Sequence, residues 1–351
     1  MVRNNHYVPQ FYLKSWCCDS SGKKIWVYDK LVPHQNYDVW KKKSIESVAC
    51  MRDLYTFQRD SVETDEIEIE INTFYESPFA QEVLPKIVSR ECLSERDWDV
   101  LCDYVLLQFL RTPKRYNSIL NAMDQIIPRH LRDGVEEAAY NISNGIVHSE
   151  NLPQLPFSEH IPLDFVIDND VIHGHAISGK GAYLFTLRHL MQNSFELRKI
   201  FRGLNWQFIY PPKEISFPTC DDPAMCVYGK DDLSFYFVDV FGIPNGEVIF
   251  PISPDICLYA QIGNSEEGLR FRSDTDFRIF CAFICRFIVE HSYRYVYSSS
   301  TLDYVPRFCP RTEDLHAWQA AKEAWEGNHE KQMFLEDIYR RIIQGKQGDL
   351  I

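Results

Sequence analysis

The chain has 351 residues, of which 45% are hydrophobic and 14% aromatic, so a disordered or low-complexity protein is excluded. Its formal net charge is -13. A surface of that sign repels polyanions at long range, which disfavours whole-surface binding to nucleic acid or anionic membrane and leaves only a local basic cleft open.

No stretch approaches ~18 uninterrupted apolar residues, so no membrane span is expected. Arg3 is basic, but no apolar segment of a secretion signal follows it. The 11 cysteines are scattered, and Cys102, Cys257, Cys281 and Cys285 lie in apolar runs. They read as small buried hydrophobes in a reducing, cytoplasmic setting.

In chain order, Pro9 suits the first turn of a short helix over 9–16. "KIWVYDK" (24–30) alternates like a strand, and "DLYTF" (53–57) reads as another. The stretch between them, 36–50, has no clear period. From Thr64 to Arg90 the pattern is helical: Ile67, Ile71, Phe74 and Tyr75 share one face, and Pro78 is expected to kink or split the helix. Ser94 with Asp97 three residues on makes a variant capping box for a second, strongly apolar helix that stops at Thr112-Pro113. A third helix runs over 114–139.

Residues 141–180 are rich in Pro, Ser and Asn and read as an insertion, linker or flap. A helix at 182–201 is followed by strand-like 205–212, 234–241, 247–252 and 256–262. The segment 275–297 reads as one buried helix, and 313–345 as a last amphipathic one. The expected fold is α+β, mainly helical with a small antiparallel sheet. The expected division is 1–140, the irregular 141–180, and 181–351, with the first and last parts able to form one continuous domain.

Metal signatures are weak. Cys17 and Cys18 are adjacent, and Cys281 and Cys285 stand at helical spacing rather than as paired zinc ligands. "HGHAISGKGAY" (173–183) places His173 and His175 near a Gly-Lys pair but does not meet the phosphate-loop pattern, and reads as a loop. Glu66, Glu68, Glu70 and Glu76 share a predicted helix. Paired carboxylates there could hold Mg²⁺, although an exposed acidic face is the commoner outcome.

Gln108 and Arg111 sit at i, i+3 near the end of an apolar helix. Arginine there either clamps a carboxylate or phosphate or satisfies the helix dipole. Asp221 precedes Asp222-Pro223, which forces a turn or extended segment and reads as a turn.

"NHYVPQFYLKSW", "KIWVYDK", "SIESVACMRDLYTF", "FYES", "LLQFLRTPKR", "FPTCDDPAM", "FPISPDICL" and "RYVYSS" together resemble the domain of unknown function 4238 family, over about residues 5–300. The family's usual Thr-Ser-Asp-Asn-Pro is here Thr219-Cys220-Asp221-Asp222-Pro223. The resemblance maps His6, Gln10, Glu76, Gln108, Arg111 and Asp221 onto motif positions without assigning roles.

Two readings of that set follow. In the first, the protein hydrolyses a phosphodiester or nucleotide as a nuclease-like effector. His6 is then the acid/base, Arg111 the phosphate clamp, Gln10 and Gln108 polar members of the site, and Glu76 and Asp221 ligands of Mg²⁺. Its partner is a small phosphate-bearing molecule or a nucleic acid, and not a membrane. In the second, the chain is a non-catalytic module binding a ligand or protein, and the polar cluster is structural.

Overall fold

A computed structural model describes residues 4–34, 36–59, 62–146, 163–168, 171–176, 179–193, 195–229, 235–238, 245–263, 269–316 and 318. The first elements are β1 (Asn4–His6), α1 (Gln10–Leu13) and a 3-10 turn at Lys14–Trp16. Five strands follow: β2 (Lys24–Asp29), β3 (Lys41–Ser44), β4 (Cys50–Arg52), β5 (Phe57–Arg59) and β6 (Val62–Thr64). A helical run then holds α2 (Glu66–Ile71), two π-helical turns at Asn72–Glu76 and Phe79–Val83, and α3 (Leu84–Val88).

Next come α4 (Glu95–Leu110), α5 (Pro113–Ser143), β7 (Leu163–Asp168), β8 (Val171–Ala176), α6 (Gly179–Asn193) and α7 (Phe195–Gly203). Strands β9 (Asn205–Ile209), β10 (Thr219–Cys220), β11 (Met225–Gly229), β12 (Phe235–Val238), β13 (Gly246–Ser253) and β14 (Ile256–Gln261) follow. The last described elements are α8 (Asp274–His291), β15 (Tyr295–Ser298) and α9 (Val305–Phe308). The expected helix over 313–345 falls almost wholly outside the described residues.

The chain divides into two compact units that interleave along the sequence. The first comprises 1–5, 51–74 and 110–195; the second comprises 6–50, 75–109 and 196–351. In the first unit, β5 pairs with β6 and β7 pairs with β8, both antiparallel. The long α5 lies beside α6 and β8. Buried Leu54, Ile67, Ile71, Leu110, Ile127, Leu184 and Leu187 supply its apolar interior. The described part of 141–180 thus holds the end of α5 and a β-hairpin.

The second unit contains two larger sheets. A five-stranded sheet has the order β12-β11-β13-β14-β9, and a four-stranded sheet has the order β10-β15-β2-β3. Their registered pairs are antiparallel, as expected. Cys281, Ile284, Cys285 and Ile288 of α8 pack on Phe217, Met225, Val227, Ile249, Cys257 and Tyr259. Val289 packs with Tyr28, Val296 and Val305. Burying each large apolar side chain contributes about 1.5–3 kcal/mol, so α8 is a principal source of this unit's stability.

The α+β class holds, but a mainly helical fold with one small sheet does not. Among the described residues, two sheets of four and five strands and three two-stranded ladders replace it. The missed strands lack the alternation that marks a half-buried strand. β3 is Lys-Lys-Lys-Ser on a sheet edge, where lysine blunts pairing with another chain. β10 has two residues, and β15 follows α8 so closely that its apolar residues read as more helix.

The expected strand at 53–57 is also corrected. Asp53 has φ 55 and opens a turn, so pairing begins at Phe57. The helix read over 182–201 is two, α6 and α7. Pro78 falls between the two π-helical turns. Its ring would clash with the carbonyl four residues back, and the wider π turns relieve that clash while keeping the run helical through Val88.

Candidate functional site

Pro9 sits at φ -65 and ψ 148, so it caps α1 rather than lying inside it. Phe11 then meets Phe79 at 6.2 Å and Tyr104 at 5.8 Å, while Phe79 and Tyr104 stack at 4.0 Å with ring planes 8° apart. These three rings join the segments that carry Gln10, Glu76 and Gln108. Gln108 is four residues beyond Tyr104 on α4, and Glu76 ends the π turn three residues before Phe79. Within the second unit, the structure therefore brings together the segments bearing three of the expected site residues. Gln108 is buried, whereas Gln10 and Glu76 are half-buried.

His6 is half-buried, with Nε2 3.2 Å from the carbonyl of Ile45. Tyr7 bonds the Tyr297 hydroxyl, and burial pushes its own ionisation well up, with the Asp221 charge adding to the effect.

Asp221 is buried, and both its oxygens are engaged by the backbone. Oδ1 accepts from Tyr293 N at 2.8 Å; Oδ2 accepts from Arg294 N at 2.8 Å and Tyr295 N at 3.0 Å. Its own N–H donates to the Tyr295 carbonyl at 3.1 Å. The carboxylate thus turns the chain from the end of α8 into β15. Burial raises its pKa to about 6, against the opposing pull of those N–H groups.

The next residue, Asp222, places Oδ2 2.8 Å from His291 Nε2, with neither side chain exposed. Arg294 forks onto Asp29 through Nε–Oδ1 at 2.8 Å and Nη2–Oδ2 at 3.0 Å. The sequence held no signal for these pairings, because their partners lie 69 and 265 residues apart.

Arg111 belongs to the first unit, in the two-residue link between α4 and α5. It is fully buried, and Lys114 and Arg115 in the first turn of α5 are 8% and 5% exposed. Pro113 occupies the first turn of α5, and Thr112 makes no side-chain cap to it. Tyr183 of α6 is fully buried and close enough to Arg111, Tyr55 and Tyr116 to feel each electrostatically. Its ring meets Tyr116 edge-on at 4.7 Å, and among the described residues its hydroxyl has no hydrogen-bond partner. Lys114 and Arg115 end the "LLQFLRTPKR" motif, but their burial was not legible from it.

The acidic helix is engaged in pairs. Glu68 accepts from Asn5 Nδ2 at 2.6 Å, and Glu70 pairs with Arg188. Lys180 of the Gly-Lys pair donates Nζ to the Asp53 carbonyl at 2.8 Å, which fits a structural role rather than a phosphate loop. Among the described residues no group of three or more His, Cys, Asp and Glu is arranged to hold a metal ion. All 11 cysteines are free thiols. Burial pushes Cys102 and Cys285 up to about 12, as expected of inert core thiols. Among the described residues no helix is long and apolar enough to cross a membrane.

A family model described as "Protein of unknown function (DUF4238)" matches residues 4–301. Comparison with curated proteins and with solved structures finds no match.

Proposed function

We propose, for this chain, which belongs to the DUF4238 family, that it hydrolyses a phosphodiester or nucleotide and holds a phosphate group in the first unit, where α5 begins. The observation that carries the reading is the burial of Arg111, Lys114 and Arg115 around a helix N-terminus that Thr112 does not cap by its side chain. Three cations gathered at one place favour an anionic occupant. The positive end of a helix dipole favours the same occupant, and arginine reads phosphate through two parallel hydrogen bonds. Asp221 does not fit Mg²⁺, because backbone N–H groups occupy both its oxygens; no step is routed through a metal.

The test measures turnover of bis(p-nitrophenyl) phosphate and calorimetric binding of ATP by the full chain. The reading expects both for wild type. It expects Arg111→Lys and Arg115→Gln to lower kcat/KM by roughly 10²-fold or more while the melting temperature stays within a few degrees. Loss of neither activity nor binding in these variants overturns it.

One observation favours the second reading, a non-catalytic binding module. The Thr-Cys-Asp-Asp-Pro motif serves backbone turning and a buried Asp222–His291 contact. Stoichiometric ATP binding without turnover of any phosphodiester would select this module.

A further inference from the structure

A separate cavity of about 660 Å³ opens in the second unit along the outer ridge of α8. Ile279, Phe283 and Arg286 form that ridge at i, i+4 and i+7, Ile215 lies opposite, and Tyr304 and Phe308 close the remaining side. Ile279, Phe283 and Phe308 are 51%, 41% and 40% exposed, so large apolar groups gather here at the surface. Exposed apolar groups clustered in a concavity mark a binding site more often than scattered ones do.

Among the described residues of this lining Arg286 is the one cation, and Glu214, paired with Arg278 at 2.9 Å, is the one carboxylate. Its guanidinium lies over Phe235 at 5.1 Å and Phe308 at 5.3 Å, which fixes its plane. Nε donates to Glu290 Oε1 at 2.7 Å. Among the described residues no acceptor reaches either Nη, so the outer fork of the guanidinium is unused. A fork with one edge anchored and one edge open suits a carboxylate, which accepts two parallel N–H bonds. The walls beside it are aromatic rings, which favour a flat ring partner through offset or edge contacts.

We infer that this cavity binds a small aromatic carboxylic acid, with its ring against Phe283 and Phe308 and its carboxylate on the Nη edge of Arg286. The cavity volume lies within the ~300–1,000 Å³ of small-molecule sites. The site is independent of the phosphate reading, since it shares no residue with it.

The experiment titrates the full chain with 2-naphthoate, 2-naphthalenemethanol and decanoate by calorimetry, for wild type, Arg286→Gln and Phe283→Ala. Circular dichroism and melting temperature check that each variant is folded. The expected result is saturable one-to-one binding of 2-naphthoate, weakened roughly tenfold or more when the carboxylate becomes an alcohol or Arg286 becomes glutamine. Phe283→Ala weakens it as well. Equal affinity for the acid and the alcohol, or an unchanged affinity in Arg286→Gln, overturns the assignment of the carboxylate. Tighter binding of decanoate overturns the aromatic class. Absence of saturable binding of all three overturns the site. Should Arg286→Gln fail to fold, Arg286→Lys, which keeps the charge and removes the fork, carries the same comparison.

Discussion

Asp222 Oδ2 lies 2.8 Å from His291 Nε2, and neither side chain is exposed. The pair ties the Thr-Cys-Asp-Asp-Pro motif to the last turn of α8. Removing one partner leaves the other buried without its match, which costs about 3–5 kcal/mol. Asp222→Asn and His291→Gln are therefore each expected to lose that order of stability. The double variant is expected to lose clearly less than the sum, since the two residues share one contact. Urea unfolding of the four proteins measures the coupling, and strict additivity would show that the contact contributes nothing.

Asp221 makes a second, pH-dependent prediction. Its carboxyl is held at about 6 in the folded chain against an ordinary 3.8. The folded state therefore keeps a proton that the unfolded chain releases, and the contribution of this group to stability falls as pH rises from about 4 to about 6. A shift of about two units corresponds to about 3 kcal/mol. Asp97 is held at about 2 by Lys86 and Ser94, so its contribution is lost only as pH falls below the ordinary carboxylate range, outside that window. Asp221→Asn should flatten the slope between pH 4 and 6. It should also lower stability at pH 4 by about 1–3 kcal/mol, because one amide oxygen cannot accept all three N–H groups. Chemical denaturation across pH measures both, and an unchanged slope overturns the assignment.

Much of the local structure was legible because its causes are local. Ser94 and Asp97 form the reciprocal box that their spacing implied: Ser94 N donates to Asp97 Oδ2 at 2.8 Å and Asp97 N to Ser94 Oγ at 3.2 Å. Thr112-Pro113 ends one helix and begins the next, because proline disfavours helical backbone before it and tolerates the first turn after it. What was not legible depends on distant partners. The turn into β15 exists because Asp221 grips residues 293–295, and no pattern within 275–297 announces that. The interleaved units are equally hidden, since each return of the chain looks like an ordinary loop. The motifs drew attention to Arg111, which is buried, and to three segments that Phe11, Phe79 and Tyr104 join. They could not show that Asp221 turns backbone or that Tyr183 sits beside Arg111.

Tyr183 separates a ligand site from a structural cluster. Its hydroxyl is buried with no hydrogen-bond partner among the described residues, which costs stability rather than adding it. Tyr183→Phe is expected to leave the melting temperature unchanged or raise it. The same change is expected to weaken ATP binding roughly tenfold, the worth of one hydrogen bond to a charged oxygen. Calorimetry and thermal unfolding on one preparation give both values. A lower melting temperature with unchanged affinity would assign the hydroxyl to the fold.

Phe79 tests whether the aromatic trio organises the N-terminal motif. It is fully buried, stacks on Tyr104 at 4.0 Å and meets Phe11 at 6.2 Å. Phe79→Ala opens a cavity between three segments and is expected to cost about 3–5 kcal/mol. Phe79→Leu keeps most of the volume and removes the ring, so it should cost less and isolate the ring contacts, worth about 0.5–1.5 kcal/mol for each aromatic pair. The Gln10 and Gln108 segments are joined through these rings rather than through a hydrogen-bonded ladder. The leucine variant should therefore loosen α1 before it loosens the sheets. Hydrogen exchange reads this directly: amides at 13 and 17, which donate to the carbonyls of Pro9 and Lys14, should lose protection while those of β13 and β14 keep theirs. Equal loss in both places would mean that the trio supports the whole unit and has no particular hold on the motif.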